Sequence, residues 1–224
     1  MDQYKARILG YIEFRTAAIY HADKSILDQI EKQFDRFLRE IGITRIDALH
    51  YFHLAPPSCR RDMAMLGVIQ RSVLGKGPEQ VRKYFVPVET SNHMNGRNCK
   101  RRHGMQLQSI RHGKFLEVTG RSILGLIDIY NLLPQEFIDE TNVHEFQRKL
   151  QALLKTHAEN NDLEWEMLFS PRVPLHSHPL RRMLNGVAST DDNVDGTMAC
   201  DRTNDGVRGD GNVATNLDVP PAWW

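Results

Sequence analysis

The chain has 224 residues, with 29 basic and 28 acidic side chains and a formal net charge of +1. That length holds one large or two small domains, and the balance excludes a uniformly basic protein while leaving room for opposite charges in different segments. Apolar residues make up 41%, slightly below the globular norm, so part of the chain is expected to pack no core. Cys59, Cys99 and Cys200 are odd in number, far apart and form no Cys-x-x-Cys pair, which argues for a reducing compartment rather than a disulfide framework. The N-terminal residues carry scattered charge and no signal-type apolar run, and no window approaches the roughly 18 uninterrupted apolar residues of a membrane span. The expectation is an intracellular chain with no membrane partner.

The first helix-compatible segment runs from Tyr4 to Tyr20, weakened by Gly10 and Thr16. Ser25 is placed to cap a stronger helix with apolar positions Ile26, Leu27, Ile30, Phe34, Phe37, Leu38 and Ile41. Gaps of three and four put these on one face, and Gly42 suits a left-handed stop. Thr44 caps a short helix that Pro56 and Pro57 end. Another runs from Ser58 to Leu74 on a stripe of Met63, Leu66, Ile69 and Val73, stopped by Gly75, and Pro78 opens a last turn toward Phe85. Residues 86–105 are polar and without period, and read as a loop. Residues 121–133 are apolar, and their length does not distinguish a strand from a short buried helix. Pro134 ends them. Asn142, with Glu145 as its capping-box partner, opens a helix striped by Val143, Phe146, Leu150, Leu153 and Leu154. An amphipathic turn anchored by Trp165 follows. Asn185 to Asp218 is rich in Gly, Asp, Asn and Thr and cannot bury enough surface to offset its ordering entropy. The fold class expected is therefore mainly α: packed amphipathic helices in 1–85, a polar basic linker at 86–120, a smaller second helical segment at 121–178, and a disordered acidic tail at 179–224.

No Asp or Glu occurs between Glu89 and Glu117, and within that gap lie Arg97, Lys100, Arg101, Arg102, Arg111 and Lys114. Clustered cations neutralise phosphates and release counterions, so these six are the candidate contacts to RNA or DNA; a merely solvated loop is the competing reading. Metal chemistry is disfavoured. His50 and His53 form one short spacing, while His93, Cys99 and His103 offer one plausible pair and no second, short of a four-ligand zinc site. His176 and His178 are discounted likewise. Asp191, Asn193, Asp195 and Gly196 open like a calcium loop, but Arg202 stands where a bidentate Glu is required. Gly75-Lys76-Gly77-Pro78 is too short to cradle phosphate. No cofactor is expected.

Several phrases in fixed order carry a family resemblance. Ile19-Tyr20-His21-Ala22 is followed by a helix ending Phe34-Asp35-Arg36-Phe37-Leu38-Arg39. Leu54-Ala55-Pro56-Pro57-Ser58-Cys59-Arg60-Arg61-Asp62 is similar to an "L-x-P-L-x-x-R-R" phrase, continued by Met65-Leu66-Gly67. Tyr130-Asn131-Leu132-Leu133-Pro134 is similar to a "W/Y-N-x-L-P" signature, with Tyr130 where most members carry Trp, and Phe146-Gln147-Arg148-Lys149-Leu150 is similar to its successor. Together, over residues 4–178, they resemble the region that follows the polymerase domain in LINE-type, jockey-like non-LTR retrotransposon reverse transcriptases. The resemblance implies thumb-proximal and post-thumb helices that hold template–primer or support an upstream polymerase domain, and a nuclear location. It brings no catalytic residue: the polymerase signature is Tyr/Phe-x-Asp-Asp, and the adjacent aspartates here, Asp191 and Asp192, lie in the acidic tail. The expectation is a fragment with no enzyme activity of its own and at most an accessory nucleic-acid-binding or scaffolding role; the alternative is an independent helical protein–protein interaction module.

Overall fold

The computed structural model describes residues 1, 3–14, 16–88, 103–109, 116–160, 162 and 164–186. Those residues are mainly α-helical. A wide π-type run, Tyr4–Leu9, continues into α1 (Gly10–Glu13), followed by α2 (Thr16–Ile19), α3 (Lys24–Glu40), α4 (Arg45–Phe52), α5 (Pro57–Val73) and α6 (Glu79–Arg82). After them come α7 (Leu116–Gly120), α8 (Leu126–Tyr130), α9 (Gln135–Ile138), α10 (Val143–Glu159) and α11 (Pro179–Gly186).

Local chemistry accounts for most of the ends. Thr44 and Asp47 form a reciprocal capping box on α4: the Asp47 N–H donates to Thr44 Oγ1 at 3.1 Å and the Thr44 N–H to Asp47 Oδ2 at 3.0 Å. Thr44→Ala is expected to cost about 1 kcal/mol in chemical denaturation, the usual value of such a cap. Gly42 (φ 72°) and Gly75 (φ 74°) take the left-handed conformation after α3 and α5, where a side chain would be strained. Two caps differ from expectation. Asp23, not Ser25, caps α3, accepting from the Ser25 N–H at 2.9 Å. Asn142 caps α10 as expected, but Glu140 rather than Glu145 accepts the Asn142 N–H, while Glu145 pairs with Arg148.

The helix α5 is the axis. Its sequence predicts one apolar stripe, yet Cys59 to Met63, Met65 to Gly67, Ile69, Gln70 and Ser72 are all buried. Helix α10 packs along it, with α8, α3 and α2 also against it, so that in its middle only Ala64 and Val68 are half-exposed. Its polar residues are consequently inside, and each needs a partner. The stripe on α3 is narrower than predicted. Leu27, Phe34 and Leu38 are buried, whereas Ile26 and Ile41 are exposed. The buried register 27, 31, 34, 38 includes Glu31, a charge at a core-facing position.

One apolar cluster joins both helical segments. It takes Leu49, Met63, Leu66 and Ile69 from the first, and Leu126, Ile127, Tyr130, Phe146, Leu150 and Trp165 from the second. A smaller cluster of Tyr4, Leu9, Phe34, Leu38, Ala48 and Leu54 closes the N-terminal end, where Tyr4 stacks on Phe37. The expected linker 86–120 is in part structure. His103 and Leu107 are buried, and Pro87 and Leu107 form an isolated antiparallel bridge. Residues 121–133 resolve as helix, a 3-10 turn at Ile123–Gly125 leading into α8. The expected tail starts later than 179, because Pro179 and Leu180 are buried at the head of α11; residues 187–224, and the disorder expected of them, lie outside the described residues.

Candidate functional site

The predicted phosphate contacts Arg97, Lys100, Arg101, Arg102, Arg111 and Lys114 lie outside the described residues, as do His93, Cys99, Cys200, Asp191 and Asp192. The histidines that are described serve the frame. His103 is buried and donates through Nε2 to the Tyr130 carbonyl at 3.1 Å, its ring edge-on to Tyr130. His178 donates to the Ser170 carbonyl at 3.1 Å. His50 meets Glu159 while His53 meets Lys155, so the two do not share a focus. Among the described residues no group of three or more His, Cys, Asp or Glu is placed to hold a metal ion. Lys76 of the Gly-Lys-Gly-Pro turn donates to the Thr141 carbonyl, a tie between segments.

The phrases that carry the family resemblance each send residues into the interior, while His21, Arg36, Arg39 and Arg148 of the same phrases are exposed. Tyr130 is fully buried and donates its hydroxyl to Gln70 Oε1 at 2.7 Å, while Gln70 Nε2 reaches the carbonyls of Ile138 and Glu140. Asn131 pairs both amide atoms with the Leu107 backbone at 2.8 Å. Tyr20 donates to Asp62 at 2.9 Å, Arg60 pairs with Glu13, and Arg61 pairs with Glu31 at 3.2 Å. Phe146 and Leu150 fill the shared core. Arg60 and Arg61, basic in sequence, are 4% and 6% exposed and unavailable to a phosphate backbone.

Around the first turn of α5, Tyr20, Glu31, Arg61 and Asp62 line a cavity of about 280 Å³ together with Arg45 and Glu166. Pro56 gives α5 no side-chain cap, and Glu31 of α3 supplies an anion near that end instead, its carboxylate favoured by the Ser58 backbone. Burial still raises the Glu31 carboxyl above its ordinary range, against the pull of Arg61 and Arg45. Arg45, at the start of α4, grips Asp35 with two nitrogens at 2.7 and 2.8 Å and Glu166 with a third. Asp62 is the most perturbed acid: burial pushes it up to about 7, while the Tyr20 hydroxyl, Arg61 and Arg172 oppose. Tyr20 is driven up in turn by burial and by Asp62. Burial also raises the Cys59 thiol well above its ordinary value, and its sulfur rests 3.2 Å from the Glu166 carbonyl, which leaves it inert.

This cluster is the group of charges that reasoning along the chain did not find. The signal available was Arg60-Arg61-Asp62 inside a helix whose neighbours at both sides are apolar. No family model matches the sequence, and no curated protein and no solved structure matches it either.

Proposed function

We propose that the chain is a non-catalytic helical scaffold related to the region that follows the polymerase domain in LINE-type reverse transcriptases, with an accessory nucleic-acid contact through its basic stretch. The observation that supports this reading is where the resembling phrases fall. Tyr20, Arg60, Arg61, Asp62, Tyr130, Phe146 and Leu150 form the buried ties and core of one frame, with half-buried Asn131 beside them. Residues that make a frame are what a sequence must keep to keep an architecture, whether or not it keeps a reaction. On this reading the polymerase aspartates belong to an upstream segment, and the chain supports that segment or its template.

Two experiments test it. In the transcript, the coding sequence upstream of Met1 is expected to contain a Tyr-x-Asp-Asp polymerase core in the same frame; an unrelated leader there argues against the reading. With purified protein, affinity for a short RNA–DNA duplex is measured between about 50 and 200 mM salt. Replacing Lys100, Arg101 and Arg102 together by alanine is expected to flatten the dependence by about three phosphates' worth of slope. An unchanged slope removes these residues from the interface.

The second reading, a protein–protein interaction module, is favoured by one surface. Tyr11 and Phe14, three residues apart, are 80% and 67% exposed, and Phe14 borders a cleft of about 170 Å³ with Ala17, Met65 and Val68. Exposed aromatic surface of this kind recruits partners. Serine at both positions should lower apolar-dye binding and self-association; unaltered behaviour would count against the module.

A further inference from the structure

The cavity beside the first turn of α5 has the space of about nine water molecules, at roughly 30 Å³ each in the liquid. Its charged lining is four basic side chains, Lys24, Arg45, Arg61 and Arg172, against four acidic, Asp28, Glu31, Asp62 and Glu166. Arg45 and Glu166 satisfy each other. The rest is unevenly used. Glu31 and Arg61 meet through Oε1 and Nη2, but their second atoms, Oε2 and Nη1, are buried with no hydrogen-bond partner. Arg45 Nη2 stands 4.0 Å from that Oε2, beyond bonding reach. Nearer the mouth, Lys24 and Asp28 form no ion pair with a described residue, and exposed Arg172 acts on Asp62 and Tyr20 through its charge alone.

A donor and an acceptor are thus left open within one buried ion pair, with Asp28 three residues before Glu31 on α3 and with Arg61 and Arg172 both facing Asp62. Each unsatisfied buried group is costly, and an incoming partner recovers that cost. A simple anion entering here meets Glu31 and Asp28. A simple cation meets Arg61, Arg172 and Lys24. A molecule with both charges a few ångströms apart answers each sign with its opposite. We propose that this cavity binds a small zwitterion of the α-amino-acid class, its carboxylate on Arg61 and Arg172 and its ammonium on Glu31 and Asp28. The site stands independently of the retrotransposon reading, since it uses none of the basic stretch.

The test is calorimetric titration of the full chain with glycine and the other common amino acids, beside acetate and methylammonium at matched ionic strength. At least one amino acid should bind saturably and raise the melting temperature, with neither single-charge probe giving a comparable response. Asp28→Asn changes a group in no ion pair with a described residue, so it should weaken binding about tenfold while leaving the ligand-free melting temperature unchanged. Arg172→Ala, which also removes a charge acting on Asp62, should weaken binding by a similar factor with a shifted melting temperature. Three results overturn the proposal: no amino acid binds and ordered water is the only occupant, acetate or methylammonium alone binds as well, or both variants bind like the unaltered chain.

Discussion

Replacing Asp62 by asparagine is expected to raise the melting temperature at pH 7 and above, and to flatten stability between about pH 4 and pH 7. Burial holds the Asp62 carboxyl at about 7 in the folded chain, against roughly 3.9 in an unfolded one. Between those values the native state binds a proton that the unfolded state has released. Stability from this group is complete below the lower value, falls as pH climbs, and is gone above the upper. Asparagine stays neutral throughout and its amide oxygen can still accept from the Tyr20 hydroxyl. The difference between the two proteins should therefore grow from near zero in acid to on the order of a few kcal/mol at pH 8. Glu31, also raised by burial, leaves a residual slope of the same sign in the variant. Tyr20→Phe gives the converse control: losing the donor that favours the ionised carboxylate pushes Asp62 higher and steepens the profile. Denaturation midpoints at a series of pH values measure all three, and a variant that parallels the unaltered chain at every pH would refute the account.

Phe146→Ala should be the most damaging of the simple truncations, at about 3–5 kcal/mol. Phe146 has 0% exposure and sits on the face of α10 that packs along α5. Its loss empties space that belongs to both helical segments, so both should respond. Hydrogen exchange at amides of α3 and α5 is expected to accelerate in step with that at α10, and heat should unfold the variant in one transition. Two separated transitions, with α3 and α5 unmoved, would make the segments independent domains.

Punctuation was legible along the chain because it is local. Thr44 with Asp47, Gly42, Gly75 and Asn142 act within a few residues, and sequence spacing is all such chemistry needs. The caps that differ, Asp23 for Ser25 and Glu140 for Glu145, do so by the choice among several acceptors within reach of the same N–H groups. Period arguments placed α5 within a residue at each end but gave it one apolar stripe, because they assume that one side of a helix meets solvent. What makes Arg61, Asp62 and Gln70 tolerable inside is supplied from 30, 42 and 60 residues away, and no local window contains those partners. The same distance hid the cavity, whose walls come from α3, α4, α5 and the turn carrying Glu166. The order along His103 to Leu107 escaped notice for a related reason: its anchors are the Tyr130 carbonyl and the Asn131 side chain.

The sharing of a single core by the two helical segments bears on what happens when the chain is severed. A cut anywhere from Glu89 to Arg102 removes one covalent connection, but each piece then exposes apolar surface that only the other covers. Residues 1–88 and 103–224, produced as separate polypeptides, should each aggregate or stay molten alone and recover helicity when mixed. The protein is in that sense a natural split pair, whose halves report on one another's presence.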